Sequence, residues 1–216
     1  MDFAAMKALV KQGEGMQIEF KLKAAHPDKI VREIVAFANS WGGTLLVGIS
    51  DDQQIKGVKF VGEEEYILTK AIQTYCSPPV LYQIYRIPIG EERHVLALFI
   101  PPSEQKPHYV LQDLQNQTGK VYIRVADKSI QASKEVREIL KGERKQRNIR
   151  FGYGEKEKAL MQYLGQHQKI TVSQFMDVAG IPRHIASRTL VLLVLARVLK
   201  IYPGETEDTF VTAAQT

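Results

Sequence analysis

The stretch from Thr44 to Ile49 is an almost unbroken apolar run, rich in residues that favour extended backbone. Such a strand has no polar face to offer water, so its sheet must be covered on both sides. It follows a segment from Pro27 in which Ile30, Ile34, Val35, Phe37 and Ala38 recur at helical spacing. Pro27 suits the first turn of that helix, and Gly42-Gly43 end it. A helix, a glycine pair and a doubly buried strand in that order predict a mixed α/β core.

The surrounding chain supplies further elements. An amphipathic helix is expected from Phe3 to Val10, stopped at Gly13, and a half-buried strand over Gln17 to Lys21. Asp51 to Gln54 reads as a turn, Ile55 to Phe60 as a short strand, and Glu63 to Tyr75 as a helix halted by Pro78-Pro79. Strands are expected at Val80 to Ile87 and His94 to Ile100, joined by a turn at Gly90-Glu91-Glu92. A loose region precedes a strand at Val121 to Val125, and Ser133 offers an N-cap for the next helix. Trp41, at the end of an amphipathic helix, is expected to be partly buried.

The last 60 or so residues change character. Helices are expected at Glu155 to His167, Thr171 to Val178 and Pro182 to Arg197, with a small-residue turn at Ala179-Gly180-Ile181. Strand-like segments Val198 to Tyr202 and Thr209 to Thr212 flank Gly204-Glu205. Three helices and a hairpin in that order predict a winged helix-turn-helix. The expected organisation is α+β: a first domain over 1–140, a basic linker over 141–153, and a winged helix-turn-helix over 154–216.

Composition bounds the function. No apolar run approaches the roughly 18 residues of a membrane span, and the N-terminus lacks a signal-peptide pattern. Cys76 is the single cysteine, which excludes an internal disulfide and a cysteine-based zinc cluster. A cytoplasmic protein is expected. The net charge is +5, and its location is more informative than its size. Residues 1–140 carry 17 cations against 17 acids, residues 141–153 five against one, and residues 154–216 seven against six. The excess sits in Lys141, Arg144, Lys145, Arg147 and Arg150, cations that would add salt-sensitive affinity for a phosphate backbone.

The third C-terminal helix is the expected recognition element. Arg183, His184, Ser187 and Arg188 are spaced to share one exposed face, while Ile185, Leu190, Leu193 and Val194 supply a buried side. No acidic residue occurs between Pro182 and Lys200 to repel phosphate.

The N-terminal constellation carries a family pattern. Glu14-Gly15-Met16-Gln17-Ile18-Glu19-Phe20-Lys21 is followed by Phe37-Ala38-Asn39-Ser40-Trp41-Gly42-Gly43-Thr44-Leu45-Leu46-Val47-Gly48-Ile49. Asp51-Asp52, Ile55-Lys56-Gly57-Val58, Pro101-Pro102-Ser103, Lys106-Pro107 and Tyr122-Ile123-Arg124-Val125 complete it. In order and spacing this resembles the Schlafen Alba-like (AlbA_2) domain over roughly residues 10–135. Bacterial chains resembling this family pair the domain with a winged helix and are described as transcriptional regulators, so the resemblance implies that role. It also implies an alternative. In nuclease-active Schlafen proteins, carboxylates matching Glu14, Glu19 and Asp51 (or Asp52) hold a divalent cation. Mg²⁺ or Mn²⁺ would suit such oxygen ligands, and Lys21 would contact a phosphate. Glu19 and Lys21 also share one face of a strand, and a structural ion pair accounts for them equally.

Other motifs carry less. Gly42-Gly43 precedes a strand, whereas a nucleotide-cradling loop follows one, and no G-x-x-x-x-G-K-[ST] occurs. His26, His94, His108, His167 and His184 lack metal-ligand spacing. Asn39 and Ser40 are placed to cap the helix-to-strand turn. The expected function is DNA-binding regulation by a homodimer, with no cofactor required and RNA a possible second partner. The rivals are a metal-dependent endoribonuclease acting on structured RNA, and a protein-docking adaptor.

Overall fold

A computed structural model describes residues 1–144 and 152–213. The chain is a mixed α/β protein that divides into two compact units, Met1–Gln131 and Ala132–Thr216. The division falls before the helix that contains Lys141.

The first unit is built on a four-stranded sheet. Its strands are β1 (Ile18–Lys21), β2 (Gly43–Val47), β4 (Gln83–Pro88) and β5 (His94–Ile100), in the order β1-β2-β5-β4. The helix α2 (Pro27–Asn39) joins β1 to β2, which run parallel; the other pairings are antiparallel. The run singled out in the sequence is this central β2, buried along its length. Its side chains alternate between two apolar layers. Leu45 and Val47 join Ile34, Phe37 and Ala38 of α2 with Leu68 and Ile72 of α3 (Val61–Tyr75). Leu46 joins Phe20 and Ala97 against Met6 and Val10 of α1 (Phe3–Gln12). Each fully buried Leu or Phe contributes about 1.5–3 kcal/mol relative to an exposed one.

The glycine pair behind α2 is sterically required. Gly42 has φ +75°, and a Cβ there would lie 2.7 Å from the Ile100 carbonyl oxygen. At Gly43 a Cβ would lie 2.3 Å from the buried ring of Phe37. The chain turns at Ser40 to Gly42, outside the buried stripe of α2, which leaves Trp41 72% exposed rather than partly buried.

Small strands complete the unit. β3 (Cys76–Ser77), β6 (Tyr109–Asp113) and β7 (Thr118–Lys120) form one sheet, and β8 (Tyr122–Val125) pairs with β9 (Lys128–Gln131). The region expected to be loose thus contains the β6–β7 hairpin. The strand expected over 55–60 is reduced to isolated bridges, Ile49 with Ile55 and Val58 with His94, because Gly57 between them has φ +63°.

The second unit contains α4 (Lys134–Arg144), α5 (Glu155–His167), α6 (Val172–Ala179) and α7 (Arg183–Leu195). Its sheet is β10 (Lys169–Ile170), β12 (Thr209–Thr212) and β11 (Leu199–Tyr202), all antiparallel. Ser133 Oγ accepts from the Val136 N–H at 3.0 Å, the expected cap of α4. Thr171 caps α6 reciprocally with Gln174, and Gly180, with φ +60°, ends it. Leu160, Leu164, Phe175, Ala186, Leu190, Leu193 and Phe210 form the core. No single helix among the described residues is long and apolar enough to cross a membrane.

Candidate nucleic-acid interface

The two stripes of α7 have different fates. Ala186, Leu190 and Leu193 enter the core of the second unit. Ser187, Val191 and Leu195 recur at four-residue intervals on another side, and that side faces α4. Ser187 is 5% exposed, and its hydroxyl donates to Glu135 Oε1 of α4. Seven residues on, Gly142 lies so close to Leu195 that a Cβ would meet its methyl group at 2.5 Å. The two contacts progress in the same direction along both helices, so α4 and α7 run side by side in parallel.

This arrangement sorts the expected contact residues. Arg183, His184 and Arg188 are exposed in the first half of α7. Ser187 lies between them in sequence and is turned into the α4 contact. Lys141 and Arg144 are exposed in the last turns of α4. Lys145, Arg147 and Arg150 lie outside the described residues. Lys134, also exposed on α4, lines the same groove as His184 and Arg188 and was not anticipated. The helical recurrence of Lys134, Glu138 and Lys141 was available as a signal.

The first unit contains a buried charge network centred on Arg124 of β8. Its side chain is fully buried, and Nη1 donates to Glu19 Oε2 at 3.0 Å, Glu33 Oε2 at 2.7 Å and Ser129 Oγ at 3.1 Å. Nη2 donates to the Gly15 carbonyl at 2.6 Å, and the guanidinium lies 4.9 Å from the centroid of the Phe37 ring. Lys21 Nζ pairs with the other oxygen of Glu19, the ion pair that the strand spacing allowed. Burial, and then the nearby charge of Glu19, push the Glu33 carboxyl above its ordinary range; Ser129 and Arg124 oppose them.

Residues distant in sequence hold Arg124 in place. Ser40 Oγ accepts from the Arg124 N–H at 2.9 Å. Asn39, 2% exposed, donates from Nδ2 to the carbonyls of His108 and Tyr122, and its Oδ1 accepts from the His108 N–H. Asn39 and Ser40 therefore tie the segments around His108 and Arg124 to the end of α2, where capping alone was expected.

A family model described as "Schlafen, AlbA_2" matches residues 14–133, more than half of the chain. The chain belongs to the Schlafen AlbA_2 family. Two solved structures are similar to it. One is the DIP2311 protein from Corynebacterium diphtheriae, at 19% identity and a TM-score of 0.43, covering 61% of this chain and 30% of that protein. The other is the N-terminal domain of a RecG-related protein from Nitrosomonas europaea, at 18% identity and a TM-score of 0.42, covering 55% of this chain and 88% of that domain. No curated protein sequence matches the chain.

The Schlafen AlbA_2 unit places the three expected metal-binding carboxylates in unlike settings. Glu19 has one oxygen on Lys21 and the other on Arg124. Glu14 is exposed, and its Oε1 accepts from the Phe20 N–H at 2.8 Å. Asp51 is exposed in the turn after β2, and Asp52 beside it accepts from Ser50. Among the described residues no group of three or more His, Cys, Asp or Glu side chains is disposed to hold a metal ion. Lys21, the expected phosphate contact, is engaged with Glu19.

Proposed function

We propose that this Schlafen AlbA_2 protein is a DNA-binding transcriptional regulator whose second unit is a winged helix-turn-helix. The order α5, α6, α7 and the β11–β12 hairpin supports that reading of the second unit. The observation that carries the function is the start of α7, where Arg183, His184 and Arg188 are exposed together on a helix without an acidic residue. Lys134, Lys141 and Arg144 of α4 add cations, and Lys145, Arg147 and Arg150 follow in sequence. Ser187 is left out of the contact set because its hydroxyl is committed to Glu135.

In this reading the α7 side chains meet the major groove, and the α4 cations meet phosphates without regard to sequence. Two copies would present two such helices, matching a two-fold operator.

Native-gel retardation of labelled duplex DNA and of structured RNA, at two salt concentrations, tests the proposal. The chain should retard duplex DNA more strongly at low salt, and Lys141→Glu/Arg144→Glu should weaken it. Retardation of RNA alone would move the reading to RNA. Undiminished retardation by the double variant would remove α4 from the interface. Sedimentation at micromolar concentration, showing monomer only, would remove the dimer.

A further inference from the structure

Between α4 and α7, within the second unit, runs an open groove of about 540 Å³, within the range of small-molecule sites. One wall is the α4 stripe of Lys134, Glu138 and Lys141, and the other is the α7 stripe from His184 to Leu195. Its two ends differ in chemistry. Near the start of both helices the lining is cationic or polar, with Lys134, His184 and Arg188. Towards their ends α7 lines the groove with apolar Val191, Leu192 and Leu195, and α4 with the Glu138–Lys141 ion pair. Glu138, the one lining carboxylate, is paired with Lys141 at 2.9 Å, which leaves the charges of Lys134 and Arg188 to face a ligand. The Ser187–Glu135 hydrogen bond and the Gly142–Leu195 contact hold the two walls together.

We propose that this groove binds a small amphipathic anion, an aryl or medium-chain alkyl carboxylate. Its apolar body would lie on Val191, Leu192 and Leu195, and its carboxylate would face Lys134 and Arg188. Charge complementarity selects this class. A neutral apolar ligand leaves the cations unanswered, and a hydrophilic anion leaves the apolar half wet. His184 and Arg188 also belong to the proposed DNA interface, so an occupied groove lowers DNA affinity. That coupling rests on the DNA reading, whereas ligand binding itself does not.

The test is a fluorescence titration of the full chain with 8-anilinonaphthalene-1-sulfonate, an amphipathic aromatic anion, in the absence of DNA. The groove predicts saturable binding of one probe per chain, displaced by decanoate and not by decanol. Lys134→Glu/Arg188→Glu and, separately, Leu192→Glu should each weaken binding by about tenfold or more, with unchanged circular dichroism. Lys134→Glu alone changes only an exposed side chain and should weaken binding in the same direction. Absence of saturable binding, equal displacement by decanol, or undiminished affinity in all three variants overturns the proposal. Binding that meets these criteria in a chain that fails to retard DNA supports the groove and removes only its coupling to DNA.

Discussion

Ser187 of α7 donates its hydroxyl to Glu135 of α4 in a contact buried from water. One face of the expected recognition helix is therefore an internal packing surface of the second unit, and α4 is part of that unit. Truncating Glu135 to Ala leaves a buried hydroxyl without its acceptor, a loss of about 1–3 kcal/mol. Ser187→Ala should also destabilise, and the double variant should lose less than the sum of the two. Urea denaturation followed by circular dichroism measures all three. Additive losses would show that the two groups do not interact.

Arg124 bridges the carboxylates of Glu19 and Glu33, and Lys21 supplies a second cation to Glu19. Arg124→Ala leaves Glu33 without its arginine partner and Glu19 with Lys21 alone, and should destabilise the first unit by about 3–5 kcal/mol. Glu33→Gln should cost less than Arg124→Ala, because burial and Glu19 disfavour the charged form of Glu33. A thermal scan in which Glu33→Gln is as damaging as Arg124→Ala would contradict this account of the network.

The raised pKa of Glu33 also has a pH signature. The folded state binds the Glu33 proton more tightly than the unfolded chain does, so its contribution is fully present below the ordinary carboxylate pKa. That contribution is lost as pH rises through the raised value. The melting temperature of the wild-type chain should therefore gain on that of Glu33→Gln as pH falls from neutral towards the carboxylate range. A difference that stays constant with pH would exclude the shift.

Asn39 satisfies three backbone groups contributed by His108 and Tyr122. Asn39→Leu, similar in size, leaves all three without this partner and should cost more than about 2 kcal/mol. Asn39→Asp keeps the acceptor and should retain only the His108 N–H bond. Hydrogen exchange at the His108 amide distinguishes them: protection should survive in Asn39→Asp and fall in Asn39→Leu.

Local chemistry made much of the fold readable. The Thr44 to Ile49 run, the Gly42-Gly43 stop and the helical spacing after Pro27 each follow from steric or solvation rules acting within a few residues. Trp41 was misplaced because helical spacing was extended past the point where the chain turns. The polarity of Ser187 suggests exposure, but a hydroxyl with a buried acceptor is equally at home inside. The Arg124 network could not be read at all, since its members at Gly15, Glu19, Glu33 and Ser129 meet only through tertiary contacts. Spacing along the chain likewise says nothing of an arginine arriving from β8 to meet Glu19.

In the proposed function, exposed cations at the start of α7 bind DNA. Fluorescence anisotropy of a labelled duplex, titrated with the full chain over a range of salt concentrations, tests it most directly. The account predicts that Arg183→Ala/Arg188→Ala weakens binding by about tenfold or more and flattens the salt dependence by up to about two ion equivalents, one for each phosphate contact removed. Ser187→Ala, provided it remains folded, should bind like the wild type. Salt-dependent DNA binding that is undiminished in the double variant would contradict the account, as would the absence of DNA binding in the wild-type chain.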